Sequence, residues 1–302
     1  MSGAERSFHS GPGSLDRSAI RKNFDRASAT YDASAVLQAR VRQQLIDRLG
    51  WIAFEPEMIV DLGCGTGHAA RALGARWPTA RVIAVDFAPG MLREAARHDD
   101  SARFERLCAD ALALPLPDAS VDLLFCNLML QWCDDLDAVF AEIARVLRPR
   151  GLLTFTTFGP DTLIELQGAW HGVDDHTHVI PFADMHNIGD GLIRAGLVEP
   201  VLDVLRYTLT YPDIFALMRD LKAIGSQNAT TGRPRGLTGR KTLRAMELAY
   251  ERHRHEGRLP ASYEVVFGQA WGAVERPDAE HDGEFAIPVS AIRRRGGGRE
   301  SP

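Results

Sequence analysis

The run Ile59-Val60-Asp61-Leu62-Gly63-Cys64-Gly65-Thr66-Gly67-His68 sets an acid and three alternating glycines behind an apolar lead-in. The lead-in reads as a buried strand, and the glycines as a tight turn that feeds a helix. Glycine has no Cβ and tolerates φ > 0, so a bulky ligand can lie against bare backbone there. A dinucleotide-binding turn is spaced G-x-G-x-x-G and sets a pyrophosphate on the helix N-terminus. Here the spacing is G-x-G-x-G, with Asp61 two residues ahead of the first glycine. That acid repels a pyrophosphate and suits a nucleotide-like cofactor bearing an ammonium group. A second carboxylate, Asp86, ends the apolar run Val82-Ile83-Ala84-Val85. It comes about 20 residues on, where an acid accepts hydrogen bonds from both hydroxyls of a ribose.

Positioning these groups takes an alternation of strands and helices. Strands are predicted at 57–62, 81–86, 102–108, 121–126 and 151–158, and helices at 67–77, 89–98 and 135–147. Pro149-Arg150-Gly151 is read as the stop of the last helix. Such a pattern gives a mostly parallel sheet covered on both faces, with its ligand at the carboxyl edge of the strands. Ahead of it, residues 17–49 read as helical around a break near 28–30, with a stripe of Leu37, Val41, Leu45 and Ile46. Beyond it come helices at 161–170 and 182–195, a strand at 199–211 and a last strand at 263–271. The stretch between those two strands is too long for a plain connection. It holds two predicted helices, 213–225 and 239–257, and reads as a cap over the site. The expected organisation is a loose N-terminus (1–16), a helical lid (17–50), a cofactor-binding core (51–211), a helical cap (212–260), the last core strand (261–272) and a loose tail (273–302).

The acid, the alternating glycines and the second strand's Asp86 resemble motif I and its sequel in class I S-adenosylmethionine-dependent methyltransferases. Cys108-Ala109-Asp110-Ala111 and Val121-Asp122-Leu123-Leu124-Phe125-Cys126-Asn127 follow in the same order. The resemblance implies a Rossmann-like seven-stranded sheet with an antiparallel last strand, and S-adenosylmethionine as cofactor. It places Asp61, Gly63, Gly65, Gly67, Asp86, Met91, Asp110, Ala111, Asn127, Gln131 and the N-terminal Phe24 around that cofactor, with Asp110 at the adenine amino group. Narrower segments resemble the malonyl-acyl-carrier-protein O-methyltransferases of biotin synthesis. They include Asn23-Phe24-Asp25-Arg26-Ala27 with Tyr31-Asp32, Leu128-Met129-Leu130-Gln131-Trp132, Phe158-Gly159-Pro160-Asp161, His178-Val179-Ile180-Pro181-Phe182 and Leu221-Lys222-Ala223-Ile224-Gly225-Ser226-Gln227-Asn228. A related mitochondrial group with the same scaffold assists assembly of respiratory complex I. An assembly factor of that kind, related to an arginine hydroxylase, or a methyltransferase for another small carboxylate, is the alternative.

The narrower resemblance implies methyl transfer to the free carboxylate of malonyl-acyl carrier protein, or of malonyl-coenzyme A. A carboxylate is ionised at pH 7 and needs no general base. It needs donors that hold one oxygen and leave the other free. Arg26, Lys222, Arg233, Arg235 and Arg240 are the candidates, with Tyr31 donating to the same group or closing over the cofactor. Ten Lys/Arg against four Asp/Glu fall between Arg219 and Arg258, although the whole chain carries a formal charge of −5. That local excess suits an acidic carrier protein.

With 302 residues, 45% hydrophobic and 25% charged, the chain has an ordinary globular composition. Neither a membrane span nor a secretory signal is read, so a cytoplasmic monomer is expected, with no nucleic-acid or membrane partner. Cys64, Cys108, Cys126 and Cys133 form no C-x-x-C pair and read as buried free thiols. His171, His176, His178 and His186 match no zinc spacing, so no metal is expected. His178 or His186 is a candidate for the substrate pocket wall.

Overall fold

The computed structural model describes residues 14–97, 103–233, 236 and 238–274. Seven strands form one sheet in the order β3-β2-β1-β4-β5-β7-β6. They are β1 (Met58–Leu62), β2 (Arg81–Asp86), β3 (Glu105–Cys108), β4 (Val121–Asn127), β5 (Leu147–Phe158), β6 (Leu197–Tyr211) and β7 (Leu259–Gly272). β1 to β5 pair in parallel, and β7 runs antiparallel between β5 and β6. The order reverses between β1 and β4, so the carboxyl ends of those strands open a crevice there. Both faces are covered, as the continuous burial of β1, β2 and β4 requires. One apolar layer gathers Val41, Leu45, Leu73 and Phe125, the other Val60, Val85, Phe140 and Ile143.

The N-terminal segment forms α1 (Arg17–Ala27), α2 (Tyr31–Ser34) and α3 (Val36–Arg48). The core helices are α4 (His68–Arg76), α5 (Pro89–Arg97) and α6 (Leu136–Val146), followed by α7 (Ile164–His171) and α8 (Met185–Arg194). The insert between β6 and β7 carries α9 (Ile214–Ala223) and α10 (Arg240–Glu251). Acids in the sequence fix several of these starts. The carboxylates of Asp16, Asp135, Asp184 and Asp213 each accept a backbone N–H at the first turn of α1, α6, α8 and α9.

Most boundaries shift from the sequence expectation by one to three residues, and four differences have a clear local reason. β5 starts at Leu147 rather than at 151, because the chain enters the sheet as soon as α6 ends and absorbs Pro149-Arg150-Gly151 as a bulge, with Arg150 at φ 63. α10 stops at Glu251, where the Arg254 guanidinium bonds Glu251, Pro212 O and Gly257 O and closes a turn. β7 begins at Leu259, opposite Tyr211, so two residues placed in the cap belong to the sheet. Ser14–Asp16, placed in the loose N-terminus, are held: Leu15 bridges to Thr230, and Asp16 N–H donates to Ala229 O at 2.7 Å. The rest of that segment, the tail beyond Val274 and Arg235 lie outside the described residues. Cys64 and Cys126 are buried, whereas Cys108 is exposed because β3 is an edge strand.

Candidate active site

Two cavities meet at the carboxyl edge of the sheet and share the indole of Trp132 as a wall. The first, about 320 Å³, lies over the ends of β1, β2 and β4. Gly63 and Gly65 form its floor, and Asp86, Met91 and Asn127 its sides. Asp110 and Ala111 close one end, and Phe24 and Tyr31 of the N-terminal segment roof it. Gly63 has φ 73, and a Cβ there would sit 2.4 Å from Met129 Cγ, so only glycine leaves this floor open.

Two of the expected cofactor residues sit behind the cavity wall. Gly67, at φ 78, is the residue before α4 and faces Phe104 and Ala95 rather than the cavity. Having no side chain, it cannot cap the helix. Asp61 does so instead from β1: its Oδ2 accepts the Ala70 N–H at 2.9 Å. The Asp61 carboxyl is almost wholly buried, and burial pushes its pKa up to about 7. Its Oδ1 accepts no hydrogen bond from the described residues. Asp86 is held by two backbone donors, Gly65 N–H on Oδ2 at 2.9 Å and Ala88 N–H on Oδ1 at 2.8 Å. Burial lifts it to about 6 against those two bonds. Burial, then the nearby Asp86, pushes the Tyr31 phenol up, so it stays protonated and a donor.

Gln131, expected at the cofactor, is on the other side of Trp132 and lines the second cavity. Its amide is locked there, Nε2 donating to Leu128 O at 2.6 Å and Oε1 accepting from the Thr157 hydroxyl at 3.3 Å. This second cavity, about 270 Å³, is built from α7, the 178–182 loop, α9 and the loop after it. Phe158, Leu166, Trp170 and Tyr263 make its walls apolar, and Lys222 stands at its rim. His178 stacks on Trp170 with ring centroids 3.5 Å apart, and its Nε2 is 2.8 Å from Asp174 Oδ1. His186 is exposed and does not reach the cavity.

Among the described residues the expected arginine clamp is not assembled. Arg26 is exposed and lines neither cavity, because it lies two residues past Phe24 on α1 and so points away from the roof. Arg240, the first residue of α10, is likewise exposed and off both cavities. Arg233 is spent on Asp16, at 3.0 Å, and on Thr230 O, at 2.8 Å. Lys222 and Tyr31 do reach the site, but at different cavities.

Several contributors were not singled out as site residues from the sequence. Arg17 of α1 ion-pairs with Asp110 across the mouth of the first cavity. Asp32 accepts the Thr66 hydroxyl at 2.6 Å and lies 3.1 Å from His68 Nε2, which fastens α2 to the start of α4. Asp25 Oδ1 takes the Gly90 N–H at 2.6 Å and fastens α1 to α5. Arg42 is half-buried near Tyr31, Asp61 and Asp32, and burial lowers its pKa. Its nearest sequence hint was a position beside the buried Val41.

The cavities differ in charge. The first is lined by Asp86, Asp110, Asp134 and Asp135 against the single cation Arg17, which Asp110 pairs, so carboxylates are in excess. The second is lined by Lys222 and His178 and by no Asp or Glu. The glycine floor, the donors and acceptors at its edge and this negative lining fit S-adenosylmethionine, whose sulfonium and ammonium are both cationic.

Residues 60–155 match the family profile described as a methyltransferase domain. The fold is similar to that of the YcgJ protein of Bacillus subtilis, with a TM-score of 0.55 and 16% identity over 77% of this chain and 99% of that one. The malonyl-[acyl-carrier protein] O-methyltransferase of Methylovorus sp. (strain MP688) is 50% identical over 264 residues, 85% of this chain and 89% of the relative. The enzyme of the same name from Laribacter hongkongensis is 50% identical over 276 residues, 88% of this chain and 93% of that relative. Identity of that extent over most of both chains places this one: the chain belongs to the malonyl-[acyl-carrier protein] O-methyltransferase family.

Proposed function

We infer that this enzyme transfers a methyl group from S-adenosylmethionine to the free carboxylate of a malonyl group carried as a thioester on acyl carrier protein. The methyl ester it releases serves biotin synthesis. The observation that carries this reading is the charge contrast across Trp132: four carboxylates against one arginine line the first cavity, and a lysine with no carboxylate lines the second. The relatives' names supply the substrate.

Phe24, Tyr31, Gly63, Gly65, Asp86, Met91, Asp110, Ala111 and Asn127 are the residues that would hold the cofactor, with Asp61 and Gly67 acting from behind the wall. When bound, it supplies an electrophilic methyl group on a positively charged sulfur. The remaining work falls to the chain. The substrate carboxylate is already ionised, so no side chain has to remove a proton. Gln131, whose Nε2 keeps one N–H beyond that given to Leu128, is placed to orient a carboxylate oxygen beside Trp132. Lys222 favours the anion over a neutral acyl group. Holding nucleophile and methyl in line is worth roughly 7–11 kcal/mol. The lid keeps water out while both charges are being neutralised.

Purified enzyme is incubated with S-adenosylmethionine and malonyl-acyl carrier protein, and the carrier is weighed intact. A gain of one methyl is expected. A folded, cofactor-binding enzyme that leaves the carrier's mass unchanged would refute the assignment, and methylation of malonyl-coenzyme A alone would move the substrate to the free thioester. We further assign the enzyme to the cytoplasm as a monomer without nucleic-acid or membrane partner. Among the described residues no helix is long and apolar enough to cross a membrane.

A further inference from the structure

The roof of the first cavity and the rim of the second are one continuous piece. Thr231 N–H donates to Ser14 O and Asp16 N–H to Ala229 O, both at 2.7 Å, and the Thr30 hydroxyl donates to Ala223 O at 3.1 Å. Gly225 packs so closely on α1 that a Cβ there would lie 3.0 Å from Phe24 Cδ1 and 3.3 Å from Ala27 Cβ. The last turns of α1 and α9 therefore lie side by side along a seam.

That seam is cationic. On α1, Ile20, Phe24 and Ala27 face inward, while Asp25 points to α5 through its bond to Gly90. At about 100° per residue, Lys22 and Arg26 then fall on the outward arc nearer the cap. On α9, Arg219 and Lys222 are three residues apart and share a face. All four are exposed, and no hydrogen bond or ion pair engages any of them among the described residues. Neighbouring acids are spoken for: Asp25 by Gly90 N–H, Asp220 by the Tyr211 hydroxyl at 2.7 Å, and Asp16, whose field Lys22 shares, by Arg233 at 3.0 Å. Arg244 and Arg254, by contrast, are neutralised along α10 by Glu247 and Glu251. Lys222 also marks where the second cavity opens, next to the partly exposed Met218.

We propose that Lys22, Arg26, Arg219 and Lys222, spanning the lid–cap seam, are the docking surface for the acidic face of the acyl carrier protein, seated so that its thioester arm enters beside Lys222. This rests on the carrier-protein reading above and locates its partner. Half of the patch rides on α1, which also roofs the cofactor cavity, so the patch is complete only when the lid is down. Docking and cofactor enclosure are thereby linked.

The test is a charge reversal, Lys22→Glu, Arg26→Glu and Arg219→Glu together, sparing Lys222 because it lines the cavity. Michaelis constants are measured for malonyl-acyl carrier protein and for malonyl-pantetheine, which has no protein surface. The expected result is a rise of about tenfold or more for the carrier substrate, steeper at low salt, with malonyl-pantetheine unaffected. Wild-type turnover of the carrier secures the function itself, so its absence would count against that reading rather than this one. An unchanged constant for the carrier substrate in the triple variant would overturn the docking surface. A comparable rise on reversing Arg240 and Lys241 of α10 instead would move docking off the seam. If the triple variant fails to fold, the neutral set Lys22→Gln, Arg26→Gln and Arg219→Gln is read by the same comparison, with about a threefold rise expected.

Discussion

Replacing Asp61 with asparagine should make the cofactor-free enzyme more stable at pH 8 while weakening its cofactor binding. The folded Asp61 titrates at about 7 instead of 3.8, raised first of all by burial. Below about pH 4 the carboxyl is protonated in both folded and unfolded chains and contributes no difference. As pH rises towards 7 the unfolded chain ionises while the folded one keeps its proton, so stability is lost through that window and stays lost above it. One pKa unit is worth about 1.4 kcal/mol, which caps the cost at about 4 kcal/mol at pH 8. Asparagine never ionises and keeps an oxygen for the Ala70 N–H, but its NH2 must be buried, so the net gain is about 1–3 kcal/mol. For a chain of this size that is a rise of roughly 2–8 °C in melting temperature. Calorimetry of the cofactor-free protein from pH 5 to 9 should show the gap between variant and wild type shrinking to nothing on the acid side. Affinity for S-adenosylhomocysteine, whose ammonium remains, should fall about tenfold, or about 1.4 kcal/mol. A variant less stable than wild type at pH 8, or a gap that ignores pH, would refute the account of Asp61 as a strained buried charge.

Gly63→Ala forces a Cβ onto Met129 at φ 73; the left-handed strain and overpacking together cost about 2–4 kcal/mol, read as a lower urea midpoint with cofactor affinity lost. Gln131→Ala should raise the Michaelis constant for the malonyl substrate and leave S-adenosylmethionine affinity unchanged; the opposite split would return Gln131 to the cofactor side of Trp132. Asp16→Ala removes both the cap of α1 and the partner of Arg233. It should cost about 1 kcal/mol and speed cofactor release in stopped flow, and an unchanged release rate would detach that end of the lid from cofactor retention.

The core was readable because its signals are local. Val82 to Asp86 is a strand by apolar run and an open end by the acid that stops it, and β1 with its glycines is the same. The lid and cap were readable as helices but not as surfaces. Whether Arg26 faces the cavity depends on the phase of α1, which Phe24 and Ile20 fix by packing on Trp132 and the core, contacts distant in sequence. Gln131 follows Asn127 by four residues, yet the turn at Leu130–Trp132 carries it past the indole into the other cavity. Asp61 was legible as an acid beside a cofactor turn. Its service to α4 was not, because that follows from Gly67 lacking a side chain to give.

The lid's fastenings constrain how turnover proceeds. α1 is tied to α5 through Asp25, to Asp110 through Arg17 and to the cap through Asp16 and Thr30, while Asp32 of α2 is tied to Thr66. Phe24, stacked edge-on against Trp132 at 5.2 Å, belongs to the same unit. The roof therefore cannot lift from the first cavity without disturbing the wall of the second. An open enzyme exposes both sites to water, and a closed one desolvates the sulfonium and the carboxylate together, which is where their attraction is strongest. Transfer cancels both charges. In the proposed arrangement the ester would no longer attract Lys222, and the sulfur would no longer attract the carboxylates of the first cavity. The electrostatic hold on the closed lid thus weakens on both sides of Trp132 in the same step, and product formation itself favours opening.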